Sequence, residues 1–389
     1  MTVTHTGFYD PNACDLAEFQ ALTTQTADPV DMPSAAKIEK NVPIYDGAEV
    51  HSVLTAGIGS RQKQLSEWAW VLGQGPGVFV IKAAQPNLEA IDQATKVYDQ
   101  IIAEEKAASG SGADHFATAG SNDRIWNSLQ KLCLTAPDVF VDYFASPLID
   151  AACEAWLGPN YQMTAQVNLV RPGGQAQQAH RDYHLGFQTA EISATYPAHV
   201  HDLSPLMTLQ GGIAHCDIPV ESGPTKLLPY SQLYRPGYAA WRREDFRADF
   251  EARYVQLPLS KGDAVFFNPA LFHAAGENRS ADIARMVNLL QISSAFGRAM
   301  ESVDRLAMSK AVFDPLIASQ GRLTDAHLDA VIAATAEGYS FPTNLDNDPP
   351  VGGLAPQTQQ ALLKEAVQAR MSLSDFHAAL EAQDARKRA

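Results

Sequence analysis

The segment QQAHRDYH, at residues 177–184, places an imidazole and a carboxylate two residues apart. Alternate side chains of a β-strand share a face, so His180 and Asp182 can point toward one metal ion while Arg181 points away. A second imidazole, His273, ends the later segment KGDAVFFNPALFH, whose turn, apolar run and breaker predict delivery to a strand end or the loop after it. Two histidines and one carboxylate on one side of a metal form the facial triad of non-haem Fe(II) oxygenases.

A cation close to such a centre would serve a keto acid co-substrate. Arg285 begins the apolar run at residues 285–292, twelve residues after His273. If this run is a strand beside His273, the guanidinium of Arg285 can bind a carboxylate with two parallel hydrogen bonds. Arg279 is the competing candidate, but it lies in a turn-like segment, where we expect it to face solvent.

Taken together and in this order, these motifs resemble the phytanoyl-CoA dioxygenase family. The resemblance covers about residues 75–296. The motifs that carry it are H-x-D-x-H at His180, Asp182 and His184, ESGP at residues 221–224 with LLP at 227–229, and K-G-D-x-V-F-F-x-P-x-x-x-H ending at His273.

The resemblance implies an Fe(II)- and 2-oxoglutarate-dependent dioxygenase that uses O2 to hydroxylate a small organic substrate, with succinate and CO2 as co-products. It implies that His180, Asp182 and His273 bind the iron. It also implies that Arg285 binds the C5 carboxylate of 2-oxoglutarate, and that Gln178 occupies a position that contacts the co-substrate in some members. The interval between His273 and Arg285 is longer than the usual one, and a longer turn would absorb the difference.

The sequence predicts that these residues are positioned by a mainly β core with flanking helices. A strand at 78–81 and a helix at 88–106 come first, and two helical patterns follow within 126–156. Short strands with Gly and Pro punctuation then favour a double-stranded β-helix, the jelly-roll or cupin-like fold that the resemblance also implies. These predicted strands lie at residues 161–170, 206–214, 225–228, 254–257, 264–267 and 286–292.

The same patterns divide the chain into three parts. Residues 1–74 are predicted to be a helical and loop extension packed over a core made elsewhere. Residues 75–296 form the double-stranded β-helix domain with its supporting helices. Residues 297–389 are predicted to be a C-terminal helical extension.

Composition limits the classes of partner. The 389 residues carry a formal net charge of -15, which disfavours nucleic acid and anionic membrane surfaces. We find no apolar run long enough for a membrane span and no signal-peptide pattern. The four scattered cysteines fit a reducing compartment. We therefore expect a cytoplasmic protein acting on a small molecule, with O2 as co-substrate and an oligomeric state that the sequence leaves open.

Some histidines and one basic segment have two interpretations. His184 is either a pocket residue or a buried structural histidine. His199 and His201 could imitate a second metal site, although we favour a solvated loop. The segment at 234–247 is basic and aromatic, and we favour a charged surface helix over a lid that meets an anionic substrate.

Two other functions stay open at this point. One is a cupin-like isomerase or hydrolase that uses the same ligands with Zn or Mn and no keto acid. The other is a non-catalytic binding protein on the same fold. Arg285 separates the first of these from the oxygenase, since a cation in the pocket has no purpose without a carboxylate co-substrate.

Overall fold

Two β-sheets face each other across a cavity in the computed structural model of this chain. The larger sheet has eight strands in the order β1-β2-β3-β8-β6-β10-β5-β4, antiparallel except for the β2–β3 pair, and the smaller sheet pairs β7 with β9. This arrangement confirms the predicted double-stranded β-helix. The strands are β1 (Lys37–Glu39), β2 (Val42–Asp46), β3 (Val78–Lys82), β4 (Asn122–Ile125), β5 (Gln162–Val170), β6 (Thr208–Ala214), β7 (Lys226–Leu228), β8 (Ala264–Phe267), β9 (Phe272–Ala274) and β10 (Arg285–Ser293). The structure describes residues 7–109, 122–182, 186, 188–350 and 352–388.

Helices cover the outer face of the larger sheet and extend to the C-terminus. None of those in the described ranges combines the length and apolar character that a membrane span requires. The α-helices are α1 (Leu16–Thr23), α2 (Gly47–Thr55), α3 (Ile58–Gly73), α4 (Leu88–Ser109), α5 (Ser128–Thr135), α6 (Pro137–Phe144), α7 (Pro147–Leu157), α8 (Ala190–Ala194), α9 (Ala198–Leu203), α10 (Gly237–Ala240), α11 (Glu244–Arg253), α12 (Arg305–Ser319), α13 (Asp325–Thr335), α14 (Gln359–Gln368) and α15 (Leu373–Lys387).

Strand alternation divides the larger sheet between a helix-packed face and a cavity face. In β10, Met286, Leu290 and Ile292 join the main apolar core with the helices. The residues between them line the cavity, and β5 alternates in the same way. The side chains that these two strands turn to the cavity are Arg285, Val287, Leu289, Gln291, Gln166, Asn168 and Val170.

The N-terminal part of the chain corrects one expectation. We predict only short helices and loops before residue 75, but β1 and β2 join the larger sheet, and β2 pairs in parallel with β3. Lys40 and Asn41 connect β1 to β2 with positive φ at both positions, the conformation of a two-residue hairpin turn. A turn of this kind usually contains glycine. Neither position is glycine here, so the sequence does not predict the hairpin.

Two further differences concern the region before β5. The stretch 126–156 holds three helices, α5, α6 and α7, where we predict two, because Pro137 and Pro147 each begin a new helix at its first position. The edge strand β4 is not predicted, because its sequence NDRI is poor in β-forming residues. The domain boundaries at residues 75 and 296 stay predictions.

A polar network behind the larger sheet holds a buried histidine in its neutral form. His215 is 5% exposed, with Nδ1 2.8 Å from Thr95 Oγ1 and Nε2 2.7 Å from the Tyr143 hydroxyl. The Thr95 hydroxyl donates to the Ile91 carbonyl, so it accepts from Nδ1–H, and the Tyr143 hydroxyl accepts from Asn288 and is free to donate to Nε2. Burial lowers the pKa of His215 to about 3.

This histidine should make the protein sensitive to acid. Because the folded-state pKa lies below the ordinary value of 6.5, protons favour the unfolded chain, and stability falls as the pH drops from 6.5 toward 3. We expect the free energy of unfolding to lose up to about 1.4 kcal/mol per pH unit in that window. Urea unfolding at pH 7 and pH 5 should show a smaller loss in His215→Gln than in the wild type. The exposed His199→Gln is the control, and an equal loss in all three proteins would contradict the assignment.

Candidate metal centre

His180, Asp182 and His273 converge at one end of the cavity. Their ligand atoms all lie within 4.8 Å of one another, and no other such group occurs among the described residues. His180 Nε2 lies 3.7 Å from Asp182 Oδ1, and His273 Nε2 lies 3.6 Å from Asp182 Oδ2. The structure therefore brings together the three side chains that the sequence nominates as metal ligands.

Backbone pairing explains how residues so far apart in sequence meet. His180 forms an antiparallel bridge with His273 of β9, with N–H···O distances of 3.0 and 3.1 Å in the two directions. The Asp182 amide donates to the Pro269 carbonyl at 3.1 Å. The two imidazole rings consequently lie with their centroids 4.4 Å apart.

Each imidazole is held in the tautomer that a metal requires. His180 Nδ1 lies 2.9 Å from the Gln178 carbonyl oxygen, and His273 Nδ1 lies 2.8 Å from the Leu271 carbonyl oxygen. Since a carbonyl can only accept, Nδ1 carries the proton in both rings, and the Nε2 lone pairs are directed to Asp182. Two neutral imidazoles and one carboxylate fit a divalent iron.

Electrostatics favour the deprotonated forms of Asp182 and His180. Burial alone would raise the pKa of Asp182, but side-chain hydrogen bonding, including the bond donated by Gln210, holds that pKa well below its usual range. Burial, and then the proximity of His273, lower the pKa of His180. Asp182 and His180 can therefore bind a cation without first releasing a proton.

Gln210, which the sequence analysis does not single out, orients the carboxylate ligand. This residue of β6 is 3% exposed, donates from Nε2 to Asp182 Oδ2, and has the same nitrogen 3.2 Å from Gln291 Oε1. The available signal is a glutamine inside the otherwise mainly apolar strand TLQGGIA. A carboxylate held in this way keeps its other oxygen for a metal.

Loss of that contact should weaken metal binding. We expect Gln210→Leu to bind Fe(II) or Co(II) about 10–100-fold more weakly, because partners of a ligand contribute that much to metal affinity. Anaerobic titration calorimetry measures the change. The exposed Gln175→Leu is the matched control. Wild-type affinity in a Gln210→Leu protein that keeps its melting temperature would disprove the positioning role.

Arg181, between the two ligands, points away from them as the strand geometry predicts. Its guanidinium donates to the carbonyl oxygens of Ser231 and Tyr234. A Cβ at Gly237 would clash with the Arg181 guanidinium, so a larger residue there would displace the arginine from these carbonyls. A second contact runs in the opposite direction, because the Tyr238 hydroxyl donates to the Asp182 carbonyl at 2.9 Å. The segment around residue 237 is thereby fixed to the ligand strand.

This segment is only partly the surface helix that we favour. Phe246 in α11 is fully buried, as expected. Trp241 and Arg242, however, line the cavity between α10 and α11. The basic and aromatic stretch is therefore a wall of the site as well as a surface.

Arg285 lies in the same cavity as the three candidate ligands. It is 5% exposed, and Nη1 donates to the carbonyl oxygens of Ser222 at 3.0 Å and Gly276 at 3.3 Å. Within the described ranges no acidic side chain forms an ion pair with it. Burial lowers its pKa to about 10, so the group is still charged at neutral pH. A buried charge without a counterion is a ready partner for a carboxylate.

Other candidate residues have varied positions. Gln178 lines the cavity with an exposed side chain, and its carbonyl orients His180; its contact with a co-substrate stays a prediction. Arg279 is exposed, as expected. His184 lies outside the described residues. The solvated loop expected around His199 and His201 was wrong, because both lie in α9 and His201 is buried.

The cavity has a volume of about 780 Å³, within the range of pockets that enclose drug-sized molecules. Its lining joins the metal-binding end to the inner face of the larger sheet. It is rich in side-chain amides, with apolar and aromatic residues between them. The amides that line it are Asn122, Gln166, Asn168, Gln175, Gln177, Gln178, Gln188, Gln210 and Gln291.

Comparison with known proteins gives a family match and several relatives. Residues 74–287, just over half of the chain, match the model of the family described as Phytanoyl-CoA dioxygenase (PhyH). Dioxygenase andF of Emericella variicolor is 27% identical over 143 residues, 36% of this chain and 45% of that protein. Dioxygenase trt7 of Aspergillus terreus is 25% identical over 159 residues, 41% and 50% of the two chains. The chain thus spans about half the length of these curated relatives.

Solved structures show more distant likenesses. The non-haem alpha ketoglutarate dependent epimerase SnoN from nogalamycin biosynthesis has a TM-score of 0.42 and 16% identity, over 62% of this chain and 86% of that one. The non-haem alpha ketoglutarate dependent carbocyclase SnoK has a TM-score of 0.40 and 20% identity, over 62% and 89% of the two chains.

Proposed function

Because this chain belongs to the phytanoyl-CoA dioxygenase family, we propose that it is an Fe(II)- and 2-oxoglutarate-dependent dioxygenase that hydroxylates a small organic substrate. One observation carries the proposal. The candidate ligands His180, Asp182 and His273 share a cavity with the buried, unpaired guanidinium of Arg285. A metal triad supplies three ligand positions, and Arg285 supplies a partner for the co-substrate carboxylate.

In this proposal the chain contributes binding, orientation and shielding. His180 Nε2, His273 Nε2 and one Asp182 oxygen would hold the iron, while the carbonyls of Gln178 and Leu271 fix the two rings. Iron with 2-oxoglutarate and O2 supplies the oxidation of a substrate C–H bond, with succinate and CO2 as co-products. Protein ligands on one side only leave the opposite side accessible from the cavity.

Arg285 would orient 2-oxoglutarate. Its Nη1 is engaged by two backbone carbonyls, which fix the guanidinium plane. The remaining N–H groups of the guanidinium can then bind a carboxylate with paired hydrogen bonds. The attraction between the guanidinium and the carboxylate would be stronger here than in water, because the pair is shielded from solvent.

The cupin-like isomerase or hydrolase is the second candidate. The same three ligands would serve zinc or manganese. Arg285 argues against this alternative. It is a buried cation, and an enzyme that uses no keto acid would leave it without a counterion.

Succinate formation tests the proposal directly. The purified protein is incubated with 2-oxoglutarate and Fe(II) under air, and succinate is quantified with and without a panel of small organic compounds. We expect succinate in the presence of Fe(II) and O2. We expect none when O2 is removed or when Zn(II) replaces Fe(II). No succinate under any of these conditions would reject the proposed activity.

A further inference from the structure

The cavity extends well beyond the metal ligands, along the inner face of the larger sheet. Gln210 of β6 contacts Asp182, and Phe267 of β8 packs on His273 with ring centroids 4.8 Å apart. The strands β10, β5 and β4 follow β6 in the sheet. At about 4.8 Å per strand, β5 lies roughly 10 Å and β4 roughly 14 Å to the side of the metal end.

We call the far side of the cavity the distal subsite and define it by five lining residues. Arg124 Nη1 donates to Gln166 Oε1 at 3.0 Å, and the Arg124 guanidinium lies 5.2 Å from the Trp126 ring centroid. Glu301 reaches this group from beyond β10. The five residues are Arg124, Trp126, Gln166, Asn168 and Glu301.

Two oxygen atoms of the distal subsite are buried without a hydrogen-bond partner. One is Oδ1 of Asn168, a residue that is only 9% exposed, and the other is Oε2 of Glu301. The other oxygen, Oε1, accepts from the Asn127 amide at 2.7 Å, and the Glu301 carboxylate also interacts with the Gln166 side chain. Buried polar atoms in folded proteins nearly always have partners, so both oxygens point to a ligand.

The chemistry of these atoms restricts the ligand. The amide oxygen of Asn168 and the ionised carboxylate of Glu301 both accept, so a group bound between them must bring O–H or N–H donors. An anion would meet the carboxylate of Glu301, whose pKa is raised by burial although Lys131 and Arg124 act in the opposite direction. A neutral donor therefore fits better than a charged group. Trp126, Val287 and Leu289 offer apolar surface for the body of the molecule.

We propose that the distal subsite recognises a neutral substrate with an apolar body, through a hydroxyl or N–H donor bound by Asn168 and Glu301. This inference rests on the proposed function, because it assigns the substrate class of the same site. A molecule held there by one end would extend toward the metal ligands with the other.

A matched set of rigid probes tests this substrate class. Titration calorimetry on the protein loaded with Co(II) and 2-oxoglutarate would compare 4,4′-biphenol, its dimethyl ether and biphenyl-4,4′-dicarboxylate. The ether keeps the shape without the donors, and the dicarboxylate carries anions. We expect biphenol to bind at least tenfold more tightly than either of the others. Equal affinities, tighter binding of the dicarboxylate, or no binding of biphenol would overturn the proposal.

Variants separate recognition from folding. We expect Asn168→Leu and Glu301→Gln each to reduce the preference for biphenol by at least fivefold. The melting temperature of Asn168→Leu without ligand should not fall, because leucine of similar shape replaces an unpaired buried oxygen. Asn347→Leu, at an exposed site outside the cavity, is the control. A preference unchanged in both distal-subsite variants would overturn the proposal, as would a reduction equal to that of Asn347→Leu.

Failure of this inference can be told from failure of the proposed function. Succinate formation by the wild-type protein reports on the proposed oxygenase activity without reference to the distal subsite. Succinate without the biphenol preference would reject the substrate class alone. The preference without succinate would reject the oxygenase and keep the binding site.

Discussion

Replacement of His273 with alanine is expected to abolish iron binding and succinate formation. The imidazole is one of three ligands, and its loss should cost more than the roughly 10–100-fold in metal affinity that a supporting residue contributes. Inductively coupled plasma mass spectrometry of the protein after anaerobic loading with Fe(II) would measure the bound metal, and a coupled assay would measure succinate.

The controls for this prediction are a second histidine and the fold itself. His199→Ala removes an exposed imidazole from α9 and should keep full iron content. His273 is buried within β9, so the melting temperature of the variant must be recorded. A folded His273→Ala protein that loads one iron as tightly as the wild type would exclude this residue as a ligand.

Arg285→Ala should raise the KM for 2-oxoglutarate with a smaller effect on kcat. Removal of one partner from a buried charge pair costs about 2–5 kcal/mol, which corresponds to roughly 30-fold to several-thousand-fold in affinity. Steady-state succinate formation over a range of 2-oxoglutarate concentrations measures the change. Arg285→Lys should recover part of the loss, because lysine restores the charge without the planar pair of donors.

Arg279→Ala is the matched control, because this arginine is exposed and lies six residues before Arg285 in the same connection. It should leave the KM unchanged. An unchanged KM in Arg285→Ala as well would remove the main argument against a metalloenzyme that uses no keto acid.

The fold and the candidate ligands follow from local sequence to a large extent. Strands such as β8 and β10 are apolar runs bounded by turn residues, and this local pattern is enough to predict a strand. His180 and Asp182 are two residues apart on an extended segment, so their shared direction needs no tertiary information. The approach of His273 is less direct, since it requires the antiparallel bridge between two distant segments.

Other parts of the site depend on tertiary structure. Gln210 supports Asp182 only because β6 lies beneath the ligand loop, and no spacing rule connects the two residues. Glu301 enters the cavity from a stretch predicted to belong to a separate helical extension. The strand β4 forms from polar residues because an unpaired edge of β5 is available, which outweighs its weak intrinsic preference.

The parallel pairing of β2 with β3 has a consequence for any shortened form of the protein. A chain started at residue 75 would keep the match to the family and all three candidate ligands, but it would strip two strands from one side of β3. The backbone amides and carbonyls of β3 would then be open to strands of other molecules, a recognised route to aggregation. The first 74 residues thus act as a protective border for the sheet, and insolubility after their removal would report a bared strand rather than a damaged catalytic centre.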